Sequence, residues 1–199
     1  PEPNLNSNQK ISFDHGFFLI DAGLETTMIF HRKIDLPCFA AMVLLETPEG
    51  QKELTDYFTR HLDIAREYDL NFIFDTVTWR ANPDWGEKLG YSLEGLRELN
   101  VKGIQFAREL KEKYTSSTGF SKIFISGHMG PRGDSYFVKN KMTIEEAQQY
   151  HSLQIQVFAE EKVDLISAYT LNYSNEAIGI VRAAKEVGLP VVISFKIGR

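Results

Sequence analysis

Small polar and ionisable residues stand at the carboxyl ends of five short apolar runs in this 199-residue sequence. In chain order they are Asp21; Asp75, Thr76 and Thr78; Ser126 and His128; Ser167, Tyr169 and Thr170; and Ser194. A carboxylate in such a place can accept hydrogen bonds from an ammonium or hydroxyl group, and hydroxyl groups can hold a carboxylate. The backbone amides of 127–133 (GHMGPRG) could form an anion-accepting turn. The pattern therefore predicts a pocket for a small polar molecule.

Each of these residues also has a structural interpretation, because Asp and Thr after a strand commonly cap helices or form turns. We interpret Asp21 as functional, since it directly follows the apolar residues FFLI and a buried carboxylate is costly without a use. We interpret His128 as a hydrogen-bonded structural residue, because the sequence shows no second metal ligand beside it. Cys38 lies in the apolar context LPCFAA and is interpreted as a small hydrophobic residue.

The stretch from Asp75 to Ser92 holds both tryptophans of the chain. Trp79 and Trp85 could form the wall of a pocket, with Arg80 offering a fork of donors to a carboxylate. Asn82 and the proline after it predict the start of a turn. A rigid loop whose tryptophans only cover the rim of the fold explains the sequence equally well.

The elements that must position these residues alternate between strands and helices. The five apolar runs, at 17–23, 71–78, 122–128, 163–170 and 190–195, are nearly continuous, as expected for strands buried on both faces. Four segments between them have helical periodicity, and Thr143 with Glu146 matches a capping box at the start of the third. Gly188 and Pro190 are stop signals for the fourth. This order predicts parallel β/α units.

Two architectures fit this alternation, an open doubly wound sheet and a closed eight-stranded barrel. The first usually carries a glycine-rich nucleotide-binding turn after its first strand, whereas 21–27 (DAGLETT) has no such spacing. We therefore predict an α/β fold of the (β/α)8 TIM-barrel type. A full barrel needs about 250 residues and eight strands, so five strands and four helices predict an incomplete barrel over residues 17–199, after a polar lead at 1–16.

The composition of the chain limits the classes of molecule that it is expected to bind. A net charge of -5 and a pI near 5.6 argue against nucleic acid and anionic membranes, which attract clustered Lys and Arg. One cysteine cannot form an intramolecular disulfide, and no secretion signal or membrane-length apolar run is visible. The sequence predicts a cytoplasmic protein that binds small molecules, and it leaves a homo-oligomer open.

Several motifs together resemble the homocysteine S-methyltransferase family. The matching stretches are 21–26 (DAGLET), 76–81 (TVTWRA), 88–92 (KLGYS), and the glycines and proline of 127–133 (GHMGPRG). In the family they read Asp-Gly-Gly-Met/Leu-Gly-Thr, Thr-Asn-Thr-Tyr-x-Ala, Arg/Lys-Leu-Gly-Tyr-Ser and Gly-x-x-Gly-Pro-x-Gly. The resemblance extends from about Phe18 to Phe195, and it implies the barrel fold independently of the periodicity.

The resemblance implies an S-methyltransferase that moves a methyl group from a donor to the thiol of homocysteine, or of a related thiol, to give methionine. It implies a zinc ion that favours the thiolate and so makes the sulfur a nucleophile. The substrate-binding residues that it implies are Asp21, Gly23, Thr26, Thr76, Thr78, Trp79, Arg80 and Thr170. It assigns no catalytic residue in this chain and does not identify the methyl donor.

The sequence departs from the family pattern in two ways. The family commonly has Glu-Thr at strand four, where the glutamate holds the substrate amino group, and this chain has Tyr169-Thr170. The zinc-binding cysteines of the family fall beyond residue 199, and Cys38 alone cannot build a zinc site. We therefore predict no metal ligands in this chain, zinc only together with the downstream cysteines, and no activity for the 199 residues alone.

Two alternatives to the methyltransferase remain. One is a lyase or aldolase of the barrel class that uses a divalent metal held by Asp21, Asp75 and His128. The other is a truncated barrel that binds a ligand or a partner without turnover, since an unfinished barrel has exposed edge strands that tend to pair with another chain.

Overall fold

A computed structural model describes residues 11–14, 16–135 and 140–197 of the protein. Its five strands form one parallel sheet in chain order. The strands are β1 (Phe18–Ile20), β2 (Asn71–Asp75), β3 (Ile123–Met129), β4 (Leu165–Leu171) and β5 (Val191–Phe195). All five correspond to predicted runs. The predicted lead at 1–16 lies mostly outside the described residues.

The helices lie between the strands. They are α1 (Leu24–Thr26), α2 (Pro48–Glu67), α3 (Pro83–Lys88), α4 (Leu93–Thr118), α5 (Ile144–Glu160) and α6 (Ser174–Glu186). A π-helical turn (Thr27–His31) follows α1, and two 3-10 segments, Pro37–Phe39 and Ala41–Glu46, precede α2. The four long helices, α2, α4, α5 and α6, are the four predicted ones.

Helix α3 is an addition to the prediction, which has a turn beginning at Asn82. The Asn82 side chain accepts a hydrogen bond from the Trp85 amide at 3.3 Å, and Pro83 occupies the first helical turn. Asn followed by Pro is compatible with either element, because asparagine caps helices as well as turns and proline is well tolerated at a helix start.

The strand order identifies the architecture as barrel-like. A doubly wound sheet reverses its strand order at a switch point, whereas the order here runs from β1 to β5 without reversal, and every neighbouring pair is parallel. Right-handed crossovers in one constant direction put all the helices on one face of the sheet. The result is a curled part of a (β/α)8 barrel with helices outside, as predicted.

Alternation along the strands separates the core from the inner face of the barrel. On β2, the side chains of Phe72 and Phe74 are fully buried, and the Phe74 ring lies 4.2 Å from that of Phe58 of α2. Ile73 and Asp75, at the alternate positions, line a cavity on the opposite face. The strands therefore hold their helices on one side and present polar groups on the other.

No helix in the described part of the chain is long and apolar enough to cross a membrane.

Candidate functional site

A cavity of about 1320 Å³ lies on the inner face of the sheet and at the carboxyl ends of its strands. Seven of the eight predicted substrate-binding residues line it, namely Asp21, Gly23, Thr26, Thr76, Trp79, Arg80 and Thr170. Thr78 does not line it. The strand ends thus converge on one cavity, which is large enough for a small-molecule ligand.

Thr76 and Thr78 tie β2 to β3 through their side chains. Their hydroxyl groups lie 2.7 Å apart. Thr78 Oγ1 donates to the backbone oxygen of His128 at 2.6 Å, and the His128 amide donates to Thr76 Oγ1 at 3.0 Å. Both hydroxyls therefore have structural bonds that fix the strand ends at the cavity mouth.

Thr170 is held in an unusual backbone conformation beside this mouth. Its φ of 61° is in the left-handed region, which β-branched residues rarely adopt and which is often found at functional sites. Its hydroxyl donates to the Tyr169 carbonyl at 2.6 Å and accepts from Trp79 Nε1 and from Ser135, both at 3.2 Å. The hydroxyl thus links the loop after β2 to the end of β4.

The two tryptophans of the β2 loop enclose an arginine. The guanidinium carbon of Arg80 lies 4.1 Å from the ring centroid of Trp79 and 3.8 Å from that of Trp85. Arg80 is only 7% exposed, and its Nη1 donates to the Gly133 carbonyl at 3.3 Å. Its Nε has no hydrogen-bond partner among the described residues. Since all three side chains line the cavity, this geometry favours the pocket-wall interpretation of the loop.

Four carboxylates, Asp21, Glu25, Asp75 and Asp134, line the cavity, and burial raises the pKa of the first three. The pKa of Asp21 is raised to about 6, by burial first and then by the negative charge of Asp75. Burial raises the pKa of Glu25 to about 7 and that of Asp75 to about 7. The Tyr57 hydroxyl lies 2.9 Å from both Asp21 Oδ2 and the Ala22 carbonyl, so α2 orients the first carboxylate.

His128 is close to neutral at every physiological pH. Burial lowers its pKa to about 4, although the charge of Asp21 opposes that shift. Its ring lies edge-on to that of Tyr169 at 5.1 Å, and its Nε2 finds no partner in the described part of the chain. The backbone of His128 is hydrogen-bonded as a structural residue would be, but its imidazole is available to the cavity.

The sequence interpretation missed several residues of the site. Glu25 could have been noticed, because it stands where the family motif has glycine. Tyr57 gave no signal, since a tyrosine in the apolar stripe of a helix usually packs in the core. Its hydroxyl reaches Asp21 across 36 positions of sequence, a separation that only the fold closes.

The residues described do not fit a zinc ion. Among them no group of three or more His, Cys, Asp or Glu side chains is placed to hold a metal. Cys38 is exposed, and its φ of 56° places it in the left-handed region. The same finding leaves the metal-dependent lyase without its proposed ligand set of Asp21, Asp75 and His128. No chemical step is assigned to a metal at these residues.

Together the fold and the cavity define a protein of the β/α-barrel class with a cavity at the carboxyl ends of its strands. The family model described as homocysteine S-methyltransferase matches residues 18–199. The chain therefore belongs to the homocysteine S-methyltransferase family, as its motifs predict.

Two plant relatives agree with this assignment. Homocysteine S-methyltransferase 2 of Arabidopsis thaliana is 25% identical over 90% of this chain and 58% of its own length. Homocysteine S-methyltransferase 3 of Zea mays is 27% identical over 90% of this chain and 56% of its own length. The chain thus spans a little over half the length of these relatives.

The fold is similar to that of the homocysteine methyltransferase MmuM from Escherichia coli. Its metallated form gives a TM-score of 0.70 at 20% identity, covering 96% of this chain and 64% of that one. Its oxidized form gives 0.71 at 20% identity, covering 92% and 63%. At this identity the likeness supports the barrel fold and nothing finer.

Proposed function

We propose that this chain carries the amino-acid-binding part of a homocysteine S-methyltransferase, and that the whole protein methylates the thiol of homocysteine to give methionine. One observation carries the proposal: in a chain of this family, seven of the eight residues that its motifs predict line the same cavity. The two plant relatives are themselves named homocysteine S-methyltransferases. Homocysteine and a methyl donor are the proposed partners, and the low cysteine content supports a cytoplasmic location.

The charges of the cavity suit an amino acid, which carries one ammonium and one carboxylate group. Asp21 at the end of β1 offers an acceptor to the ammonium group. Arg80 offers an unpartnered Nε–H, within the described structure, to the carboxylate. Its guanidinium is held rigidly between two indole rings, so binding costs little side-chain entropy. Met42 and Trp79 line the same cavity and supply apolar surface for the thiol-bearing chain.

Calorimetric titration of the 199-residue chain with L-homocysteine tests the binding function. We expect measurable binding that Asp21→Asn weakens by about tenfold or more, because a charge-assisted hydrogen bond is lost. Asp56→Asn is the matched control, since Asp56 is exposed on α2 and does not line the cavity. If the chain does not bind L-homocysteine, or if Asp21→Asn binds it as tightly as the wild type, this assignment is wrong.

The zinc and activity predictions need a separate measurement. We expect the chelator-washed 199-residue chain to retain no stoichiometric zinc, because the described residues offer no ligand group. We also expect no methyl transfer from S-methylmethionine or S-adenosylmethionine with zinc added, since an unactivated thiol is mostly protonated near neutral pH. Elemental analysis and a methionine assay measure both. One zinc per chain accompanied by turnover would contradict this ligand count.

A further inference from the structure

The cavity residue Asp75 has no role in the proposed contacts of Asp21 and Arg80 with an amino acid. It ends β2 and is only 3% exposed. It stands opposite Ser126 in the β2–β3 register, and the hydroxyls of Ser126 and Ser167 lie 2.6 Å apart on β3 and β4. Hydrogen bonding from this serine pair lowers the pKa of Asp75, against the larger effect of burial.

The Asp75 carboxylate is incompletely satisfied. Its Oδ1 is buried and has no hydrogen-bond partner among the described residues, although the side chain lines the cavity. An unpaired buried carboxylate oxygen is costly. A ligand that donates a hydrogen bond and carries positive charge would remove that cost.

Tyr169 shows where such a charge would fit. Tyr169 ends the predicted fourth strand together with Thr170, where the resemblance to the family implies a glutamate. The pKa of Tyr169 is raised to about 12, by burial first and then by the nearby charges of Asp75 and Asp21. The phenol is therefore neutral and lies within electrostatic range of both carboxylates. The phenol can form a hydrogen bond with a ligand, but it cannot balance a positive charge on that ligand.

We propose that Asp75 and Asp21 together bind the ammonium group of the substrate, with Asp75 supplying the negative charge that the strand-four position lacks. This inference rests on the proposed function, since it identifies how the same cavity recognises an amino acid. The carboxylates approach the cavity from two adjacent strands, β1 and β2. Asp75 Oδ1 accepts one N–H of the ammonium group, and Asp21 accepts another.

The assignment predicts a pH dependence of binding. The ionisable groups that face Asp75 or its partner Asp21 are His128 of β3, Tyr169 of β4, and Tyr57 and His61 of α2. Glu25 also lies within electrostatic range of Asp21, and Arg80, Asp134 and Lys196 line other parts of the cavity. Only ionised Asp75 attracts an ammonium group, and burial raises its pKa to about 7. Affinity for an amine should therefore rise between about pH 6 and pH 8.

The experiment compares wild type with Asp75→Asn, using Asp56→Asn on the exposed face of α2 as the matched control. Three probes are titrated: L-homocysteine, 4-mercaptobutanoate, which lacks the amine, and 3-aminopropane-1-thiol, which lacks the carboxylate. Asparagine has nearly the shape of protonated aspartate, so the variant resembles the uncharged state. We expect Asp75→Asn to weaken both amines by about tenfold or more at pH 8 and to leave 4-mercaptobutanoate unchanged.

A pH series distinguishes charge recognition from a merely structural role. Wild type and Asp56→Asn should gain affinity for the amines between about pH 6 and pH 8, and Asp75→Asn should gain much less. The wild-type protein alone can overturn the proposal. It does so if its affinity for 3-aminopropane-1-thiol does not change over this pH range. Unchanged amine binding by a folded Asp75→Asn overturns it as well.

The probes also separate this inference from the proposed function. If L-homocysteine binds equally to wild type and Asp75→Asn, the Asp75 assignment fails and the function stands. If only 3-aminopropane-1-thiol binds, in an Asp75-dependent way, the ammonium site stands and homocysteine is the wrong substrate. If neither amine binds, both fail.

Discussion

At the scale of single residues, two of the three glycines of the 127–133 motif are explained by what a side chain would contact. A Cβ on Gly127 would lie 2.4 Å from Phe158, so this glycine lets α5 pack on β3. A Cβ on Gly130 would lie 2.5 Å from Trp79 Nε1. The Gly130 amide also donates to the Trp79 carbonyl at 3.0 Å. Gly130 therefore sets the position of the tryptophan that supports Arg80.

Substitution of Gly130 by alanine should damage both stability and the site. The indole would have to move, which breaks its bond to Thr170 and loosens the stack on Arg80. Overpacking of this kind costs about 1–3 kcal/mol. Gly133→Ala is the control, because no atom of the described residues lies within 4 Å of a Cβ built at this position. Urea unfolding measures the free energy of unfolding, and titration with homocysteine measures the affinity. Equal values for the two variants would contradict this account.

The same scale shows which parts of the site the sequence could reveal. Asp21, Trp79 and Arg80 were predictable because they stand in motifs directly after apolar runs. The structural bonds of Thr78 were not, since they join it to the backbone of His128, 50 positions later. Contacts between distant strands depend on register, which local sequence does not specify.

At the scale of elements, helical periodicity predicted the four long helices and the apolar runs predicted all five strands, although β1 and β5 are only partly buried. The predicted capping box at the start of α5 is also present: Thr143 Oγ1 accepts from the Glu146 amide, and the Glu146 carboxylate accepts from the Thr143 amide. Short elements were less predictable. Helix α3 and the π and 3-10 turns between Thr27 and Glu46 are too short for a period to show. These segments nevertheless supply cavity residues such as Trp85 and Cys38.

At the scale of the whole molecule, the fold concentrates carboxylates where they are hard to ionise. Burial raises the pKa of Asp75 to about 7, of Asp21 to about 6 and of Glu25 to about 7, each from an ordinary value near 4. The sequence carries a net charge of -5. These three carboxylates contribute least negative charge when no cationic ligand occupies the cavity. A positively charged ligand would reverse that effect, so binding of an amine should release protons near neutral pH.

The free energy of unfolding of the ligand-free chain should therefore fall as the pH rises from about 4 to about 7. Between about pH 4 and pH 7 the folded chain binds more protons at the three carboxylates than the unfolded chain does, so their contribution is greatest at the acid end and is lost on ionisation. His128 acts in the opposite sense, because its folded pKa of about 4 lies below its ordinary value of 6.5. Three groups outweigh one, and the net slope is negative.

Asp75→Asn should flatten that slope, since asparagine stays neutral throughout. The contribution of Asp75 is on the order of a few kcal/mol, because each unit between the folded and unfolded pKa corresponds to about 1.4 kcal/mol. Urea unfolding of the ligand-free chain at about pH 5, 6, 7 and 8 gives the free energy for wild type and variant, with Asp56→Asn as the exposed control. We expect the free energy of unfolding of the variant to exceed that of the wild type already near pH 5, by a margin that grows up to about pH 7 and then stays constant. A wild-type stability that rises over this range would show that the carboxylates ionise freely in the folded chain, and the charge-based account of the cavity would then fail.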